Sequence, residues 1–115
     1  IKASKPNILL AMGPAQNDQR TLSFLTDRGW TVQRAYRGTD IPTLMMDHKI
    51  NLIFADIDLP GGDGLWLLDY LNISGYQGAV ILMDRVLNRP ASPRLAAMRE
   101  RAFLIHAPIT TRHID

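Results

Sequence analysis

The fold class is best read from the stretch between Leu52 and Leu68, which runs Leu-Ile-Phe-Ala-Asp-Ile-Asp-Leu-Pro-Gly-Gly-Asp-Gly-Leu-Trp-Leu-Leu. Four apolar residues lead directly into Asp56, and a loop rich in aspartate, proline and glycine follows. A second apolar run begins at Leu65. Short apolar runs bounded by turn residues are typical of buried strands, and longer runs with apolar residues three and four apart are typical of helices. The stretch therefore predicts a buried strand, a tight loop and a helix.

The same strand-then-helix unit recurs along the chain. The predicted strands are Asn7 to Met12, Trp30 to Tyr36, Leu52 to Ala55, Ala79 to Met83 and Phe103 to His106. The predicted helices are Asp18 to Arg28, Thr39 or Asp40 to about His48, Leu65 to Leu71 and Pro93 to Arg101. Continuous apolar strands that alternate with helices indicate an α/β fold with a doubly wound, five-stranded parallel sheet. The sequence stops at Asp115, so we expect the last helix to be truncated or missing.

Length and composition exclude several classes of protein. A chain of 115 residues, with 46% hydrophobic and 21% charged residues, is large enough for one domain with a core. The absence of cysteine excludes a disulfide scaffold, a zinc–thiolate site and a cysteine nucleophile. No apolar run approaches the roughly 20 residues that cross a bilayer. The sequence opens at Ile1 with no visible signal peptide, so we expect a single domain, residues 1–115, excised from a longer multidomain protein.

Positive charge is concentrated near the end of the chain, although the net charge is only +2. Between Arg85 and His113 there are six arginines and one acid, Glu100. Such a segment is most often the solvated face of a helix, and it also fits an acidic-protein or nucleic-acid partner. We favour the solvated face.

Candidate functional residues stand where the predicted strands end. In doubly wound sheets, ligands bind at the carboxyl ends of the strands. Those positions hold Met12-Gly13, Asp56, Asp84 and His106-Ala107. A carboxylate at the end of a buried strand, such as Asp56, requires a partner because an unpaired buried charge is costly.

One segment resembles a known motif. Asp56 follows an apolar strand, Pro60 stands four residues later, Gly64 four residues after that, and an apolar helix starts at Leu65. This pattern resembles the phosphoacceptor segment of the receiver domains of two-component response regulators. The resemblance extends over nearly the whole chain, and it implies a flavodoxin-like, CheY-like sheet with strand order 2-1-3-4-5 and Asp56 as candidate phosphoacceptor.

The other positions of the receiver site depart from the family's pattern. The acidic pair that holds Mg²⁺ after the first strand aligns with Met12 and Gly13. The hydroxyl residue that ends the fourth strand aligns with Asp84, and the lysine that precedes a proline after the fifth strand aligns with Ala107, before Pro108. Only the acceptor aspartate therefore matches the family's site.

The departures change the expected electrostatics. Asp56 and Asp84 are expected to face each other, and like charges at that range raise one pKa unless a cation intervenes. Arg85, next to Asp84, either pairs with one of these carboxylates as a permanent positive charge or points to solvent. The backbone carbonyl of Asp58 aligns with a metal ligand of the family. Its side chain either adds a second metal ligand beside Asp56 or is an ordinary loop residue.

We therefore expect a degenerate receiver, or pseudo-receiver: a cytoplasmic, non-enzymatic interaction module in two-component-type signal transduction that works without aspartyl phosphorylation and without a cofactor. The resemblance implies that it binds a protein partner or a second copy through the fourth-helix and fifth-strand face, here Arg94, Arg99, Arg101 and Leu104. It implies nucleic-acid contact only through a fused output domain.

Two alternatives remain open. One is an active phosphoacceptor receiver in which Asp56 takes the phosphoryl group and Asp58 or Asp84 helps to form a non-standard Mg²⁺ site. The other is an enzyme or nucleotide-binding domain of flavodoxin-like architecture, which would be expected to carry a glycine-rich fingerprint after its first strand. The sequence there, Ala11-Met12-Gly13-Pro14-Ala15, lacks that fingerprint.

Overall fold

The computed structural model describes residues 6–13, 19–86 and 88–106. Its strands are β1 (Asn7–Ala11), β2 (Thr31–Ala35), β3 (Leu52–Asp56), β4 (Ala79–Asp84) and β5 (Phe103–His106). Its α-helices are α1 (Gln19–Asp27), α2 (Ile41–Asp47), α3 (Gly64–Ser74) and α4 (Pro93–Arg101), and a 3₁₀ turn, Gly38–Asp40, leads into α2.

The five strands form one parallel sheet in the order β2-β1-β3-β4-β5, which confirms the predicted topology. Neighbouring strands pair in close register: Ala11 lies opposite both Ala35 and Ala55, Asp56 opposite Met83, and Asp84 opposite His106. All five strands therefore end at the same edge of the sheet, and that edge gathers the candidate residues.

Helices cover the sheet on both faces because its central strands are apolar on both faces. On one face, Leu9, Ile53 and Leu82 are fully buried in a cluster that includes side chains of α3 and α4. On the other face, Ile8, Leu10, Phe54 and Met83 pack in a cluster that includes Leu25 of α1.

The helix ends near the site follow from local side chains. Asp63 begins α3 by accepting a hydrogen bond from the Trp66 N–H at 2.9 Å, and Ser92 begins α4 by accepting from the Leu95 N–H at 3.1 Å. Gly75 ends α3 in the left-handed conformation, with φ of 77°.

Several element boundaries differ from the prediction. Helix α3 starts one residue before Leu65 and continues three residues past Leu71, because Asp63 and Gly75 supply its caps. Strands β3 and β4 each continue one residue further, so that Asp56 and Asp84 are the last residues of strands. The expected truncation of the fifth helix lies outside the described residues.

Two loops beside the site pack backbone against backbone. The Gly38 N–H donates a hydrogen bond to the Pro60 carbonyl at 2.7 Å. A Cβ atom on Gly38 would lie 2.7 Å from Gly62 Cα and 2.9 Å from the Gly61 carbonyl oxygen. Only glycine at this position lets the loop after β2 approach the loop after β3.

We therefore expect Gly38→Ala to lower the free energy of unfolding by about 1–3 kcal/mol, because backbone atoms cannot move aside as a flexible side chain can. Urea denaturation followed by circular dichroism measures this. Gly75→Asn is the control: its Cβ position is open and asparagine tolerates a positive φ, so stability should hardly change. Equal stability of Gly38→Ala and the parent protein would contradict the close approach.

Candidate functional site

The candidate site lies at the carboxyl edge of β1, β3 and β4. Met12 follows β1 and is 1% exposed, whereas Asp56 and Asp84 end the two neighbouring strands and are 7% and 2% exposed. Both carboxylates are buried because the sheet continues up to them and helices cover it. Each therefore needs a partner that offsets the loss of water.

Asp56 is paired with Arg85. The Arg85 Nε donates a hydrogen bond to Asp56 Oδ1 at 2.9 Å, and its Nη2 lies 3.7 Å from the Met12 sulfur. The Gly13 N–H also donates to Asp56. Of the two positions left open for Arg85, pairing or solvent, the structure has the first, with Asp56 as its partner.

Burial raises the pKa of Asp56 above its ordinary value of 3.8, and the charge and hydrogen bond of Arg85 act in the opposite direction without cancelling that effect. The expected repulsion from Asp84 is not among the causes. Asp84 has an arginine of its own, so the two carboxylates do not compete for one cation.

Asp84 is held by Arg89. The Arg89 Nε donates to both carboxylate oxygens, at 3.1 and 3.0 Å, and the Val86 N–H donates to Oδ1 at 2.9 Å. Burial raises the pKa of Asp84, but the hydrogen bonds from Arg89 and Val86 and the positive charge of Arg89 outweigh it. The pKa therefore lies below 3.8.

Arg89 reaches a second carboxylate. Its terminal nitrogen forms an ion pair with Asp58, in the loop after β3, so that one guanidinium joins that loop to the end of β4. The Asp58 side chain is 61% exposed. The side chains of Asp56 and Asp58, the two residues considered as metal ligands, thus each contact an arginine.

A third arginine lies near this edge. The Arg34 Nη1 donates to the Met12 carbonyl at 2.6 Å, and its guanidinium stacks on the Tyr36 ring at 4.0 Å. Its charge acts to lower the pKa of Asp56, after the larger effects of burial and of Arg85. Sequence reasoning missed both Arg34 and Arg89. The signal for Arg89 was available, because a buried aspartate at the end of β4 needed a cation within reach.

The residues assigned to the interaction face lie on α4 and β5. Arg94 pairs with Asp63, and Arg101 Nη1 lies 2.7 Å from Asp69 Oδ1. Arg99 is exposed and forms no ion pair within the described part of the chain. Leu104 is half-buried against the core cluster shared by α3 and α4. Ala107 and Pro108 lie outside the described residues.

The described residues contain neither a metal-binding cluster nor a membrane-spanning helix. Residues 6–13, 19–86 and 88–106 contain no group of three or more histidine, cysteine, aspartate or glutamate side chains placed to hold a metal ion. None of the helices in these ranges is long and apolar enough to span a membrane.

The pKa shifts give Asp84 and Asp56 opposite pH dependences. We expect Asp84→Asn to lower the free energy of unfolding by about 2–3 kcal/mol at neutral pH, because the paired charge is lost, and this loss should shrink as the pH falls below 3.8. Asp56→Asn should instead gain stability relative to the parent as the pH rises above 3.8, because ionising Asp56 costs more in the folded chain.

Urea denaturation of the parent and both variants, from about pH 3 to pH 7, measures these slopes. If the free energy of unfolding changed with pH in the same way in both variants, the assigned pKa directions would be contradicted.

Comparison with known proteins identifies the architecture. No protein-family model and no curated protein matches the chain. Solved structures do match. The signal receiver domain of an HD domain-containing protein from Pseudomonas fluorescens Pf-5 superposes with a TM-score of 0.81 at 20% identity, over 96% of this chain and 89% of that one. A CheY-like response regulator receiver domain protein from Methanospirillum hungatei JF-1 gives 0.79 at 21% identity, over 96% and 88%.

The receiver domain of the Francisella response regulator 1452 gives a TM-score of 0.78 at 17% identity, over 96% of this chain and 90% of that one. These likenesses cover almost the full length of each structure, and they agree with the strand order β2-β1-β3-β4-β5. The chain has the CheY-like fold of response regulator receiver domains.

Proposed function

We propose that this chain is an atypical receiver domain, a cytoplasmic and non-enzymatic protein-interaction module of two-component-type signalling that works without phosphorylation of Asp56. The observation that carries the proposal is the ion pair between Arg85 and Asp56. The guanidinium donates to Oδ1 of the carboxylate that the resemblance to receivers assigns as the phosphoacceptor.

The surrounding residues also oppose phosphoryl transfer. Mg²⁺ binds oxygen ligands, and the side chains of Met12 and Gly13 after β1 offer none. A phosphoryl group on Asp56 would add negative charge at an edge of the sheet where Asp84 already keeps its own charge through Arg89. The donor set at this edge does not fit the cation that aspartyl phosphorylation requires.

The alternative of an active phosphoacceptor rests on Asp58. This residue lies two positions after Asp56 and is largely exposed, so its carboxylate is open to a cation from solvent. Binding there would require Arg89 to leave Asp58 and Arg85 to leave Asp56. The two hypotheses therefore differ in whether the ion pairs Arg85–Asp56 and Arg89–Asp58 break when a cation is added.

We expect the amide NMR spectrum of the chain to be unchanged by Mg²⁺ and then by beryllofluoride, which mimics a phosphoryl group, because Arg85 occupies the Asp56 carboxylate. The control is Arg85→Ala, which uncovers Asp56. Shifts in the parent protein at Asp56, Asp58 and Asp84 that disappear in Asp56→Asn would support the phosphoacceptor and overturn the proposal.

The partner surface that we propose is the exposed side of α4 and β5. Arg94, Arg99 and Arg101 are exposed along this helix, and the Phe103 side chain, at the start of β5, is 73% exposed. An exposed aromatic ring next to arginines is a common composition for protein interfaces. The charge of the surface suits an acidic partner, either another protein or an acidic patch of a second copy.

We expect charge reversal at Arg99 to weaken association several-fold, because rim charges act mainly on the rate of encounter. Arg99→Glu is the direct test, since Arg99 has no internal ion pair among the described residues, whereas reversal at Arg101 also places a negative charge beside Asp69. Sedimentation velocity over a concentration series measures self-association. Unchanged self-association in Arg99→Glu and Arg101→Glu would exclude this face from the dimer contact.

A further inference from the structure

Four ion pairs join two segments of the chain in the same order. Each arginine comes from residues 85–101 and each aspartate from residues 56–69, in the pairs Arg85–Asp56, Arg89–Asp58, Arg94–Asp63 and Arg101–Asp69. The partners are 29, 31, 31 and 32 residues apart. We call this set the arginine–aspartate ladder. It connects α4 and the loop before it to β3, the following loop and α3.

The apolar contacts of α4 are few. Its buried side chains are Leu95 and Met98, whereas α3 buries three leucines, Leu67, Leu68 and Leu71. Apolar burial scales with the area removed from water, so α4 gains less from it than α3 does. Ion pairs therefore contribute a larger share of the contacts that hold α4 in place than of those that hold α3 in place.

The ladder has a buried end and an exposed end. The Asp56 side chain is 9% exposed, whereas the Asp69 side chain is 63% exposed and that of Arg94 is 59% exposed. Salt screens exposed pairs strongly and buried pairs weakly. Rising ionic strength should therefore weaken the two pairs of α4, Arg94–Asp63 and Arg101–Asp69. It should also weaken the contact of Arg89 with the exposed Asp58, while Arg85–Asp56 and the bond of Arg89 to Asp84 persist.

We propose that the ladder is an electrostatic latch: helix α4 detaches from α3 more often as ionic strength rises, while the sheet, the Arg85–Asp56 pair and the bond of Arg89 to Asp84 stay intact. Detachment starts at the exposed end, at Arg101 and Arg94, and stops at the inner end, where Arg89 remains bonded to Asp84. It exposes the apolar side of α4 and changes the surface that carries Arg99. This device does not depend on whether Asp56 is ever phosphorylated.

Hydrogen exchange of the whole chain tests the latch, with backbone amides followed by NMR at about 0.01 M and about 1 M sodium chloride, where the Debye length falls from roughly 30 Å to roughly 3 Å. Amides at residues 96–101 of α4 should exchange roughly two- to thirtyfold faster at high salt, which is the range for two exposed ion pairs. Amides of α3 and β4 should show no comparable change.

Three variants make the result specific. The double variant Arg94→Gln with Arg101→Gln should show fast exchange in α4 already at low salt and little further response to salt. The charge swap Asp69→Arg with Arg101→Asp, made in the parent chain, reverses one pair and should keep the parent's exchange rates and salt response. Arg99→Gln is the matched control: it removes a charge from the last turn of the same helix without removing a ladder pair, and it should keep the parent's salt response.

Retained protection of β1 and β3 amides shows that each variant is folded. The proposal is overturned if α4 exchange is indifferent to salt, if α3 and α4 respond equally, or if Arg99→Gln abolishes the response as fully as the double variant does.

Discussion

The placement of two carboxylates at the buried ends of adjacent strands is the constraint on which the rest of this site depends. Removing a carboxylate from water costs several kcal/mol unless a cation and hydrogen bonds replace the hydration. Asp56 and Asp84 meet this requirement with one arginine each. Both arginines come from the segment after β4, which therefore carries the counter-charges for the ends of both strands.

An arginine and a metal ion solve this electrostatic problem in different ways. A guanidinium brings one positive charge, stays protonated at any physiological pH and donates hydrogen bonds in a planar fork. A divalent cation brings two charges and leaves coordination positions that a phosphoryl oxygen can fill. With arginine the carboxylates are neutralised by side chains of the same chain, and the occupant of the site is part of the fold.

The fold could be predicted from the sequence because its signals are local. The apolar run Leu52 to Ala55, the turn residues up to Gly64 and the repetition of this unit suffice for a parallel sheet. Pairing of Arg85 with a carboxylate was one of two predicted arrangements, the other being exposure to solvent, because its position next to Asp84 puts Arg85 at the carboxyl edge of the sheet. The structure has the pair with Asp56. The need of Asp84 for a nearby cation could be predicted, but not that Arg89 supplies it, because the reach of Arg89 depends on the path of the loop that carries it.

The cause of the raised pKa of Asp56 also lay beyond the sequence. Repulsion from Asp84 was the expected cause, and it required both carboxylates to share one space. The structure instead gives each a separate arginine, and burial alone accounts for the direction of the shift. Depth of burial and the rotamers of long side chains are properties of the packed chain, so pattern reasoning cannot reach them.

The sharing of Arg89 between Asp84 and Asp58 makes tolerance to mutation uneven across this surface. A single codon change at Arg89 leaves two carboxylates without a counter-ion, one of them fully buried, whereas a change at Arg101 leaves one carboxylate in solvent. Lysine is no substitute at Arg89, because one ammonium group on a flexible stem cannot reproduce a fork that donates Nε to one acid and a terminal nitrogen to another. Substitution should therefore be tolerated less at Arg89 than at Arg101, although Arg89 lies outside the motif around Asp56.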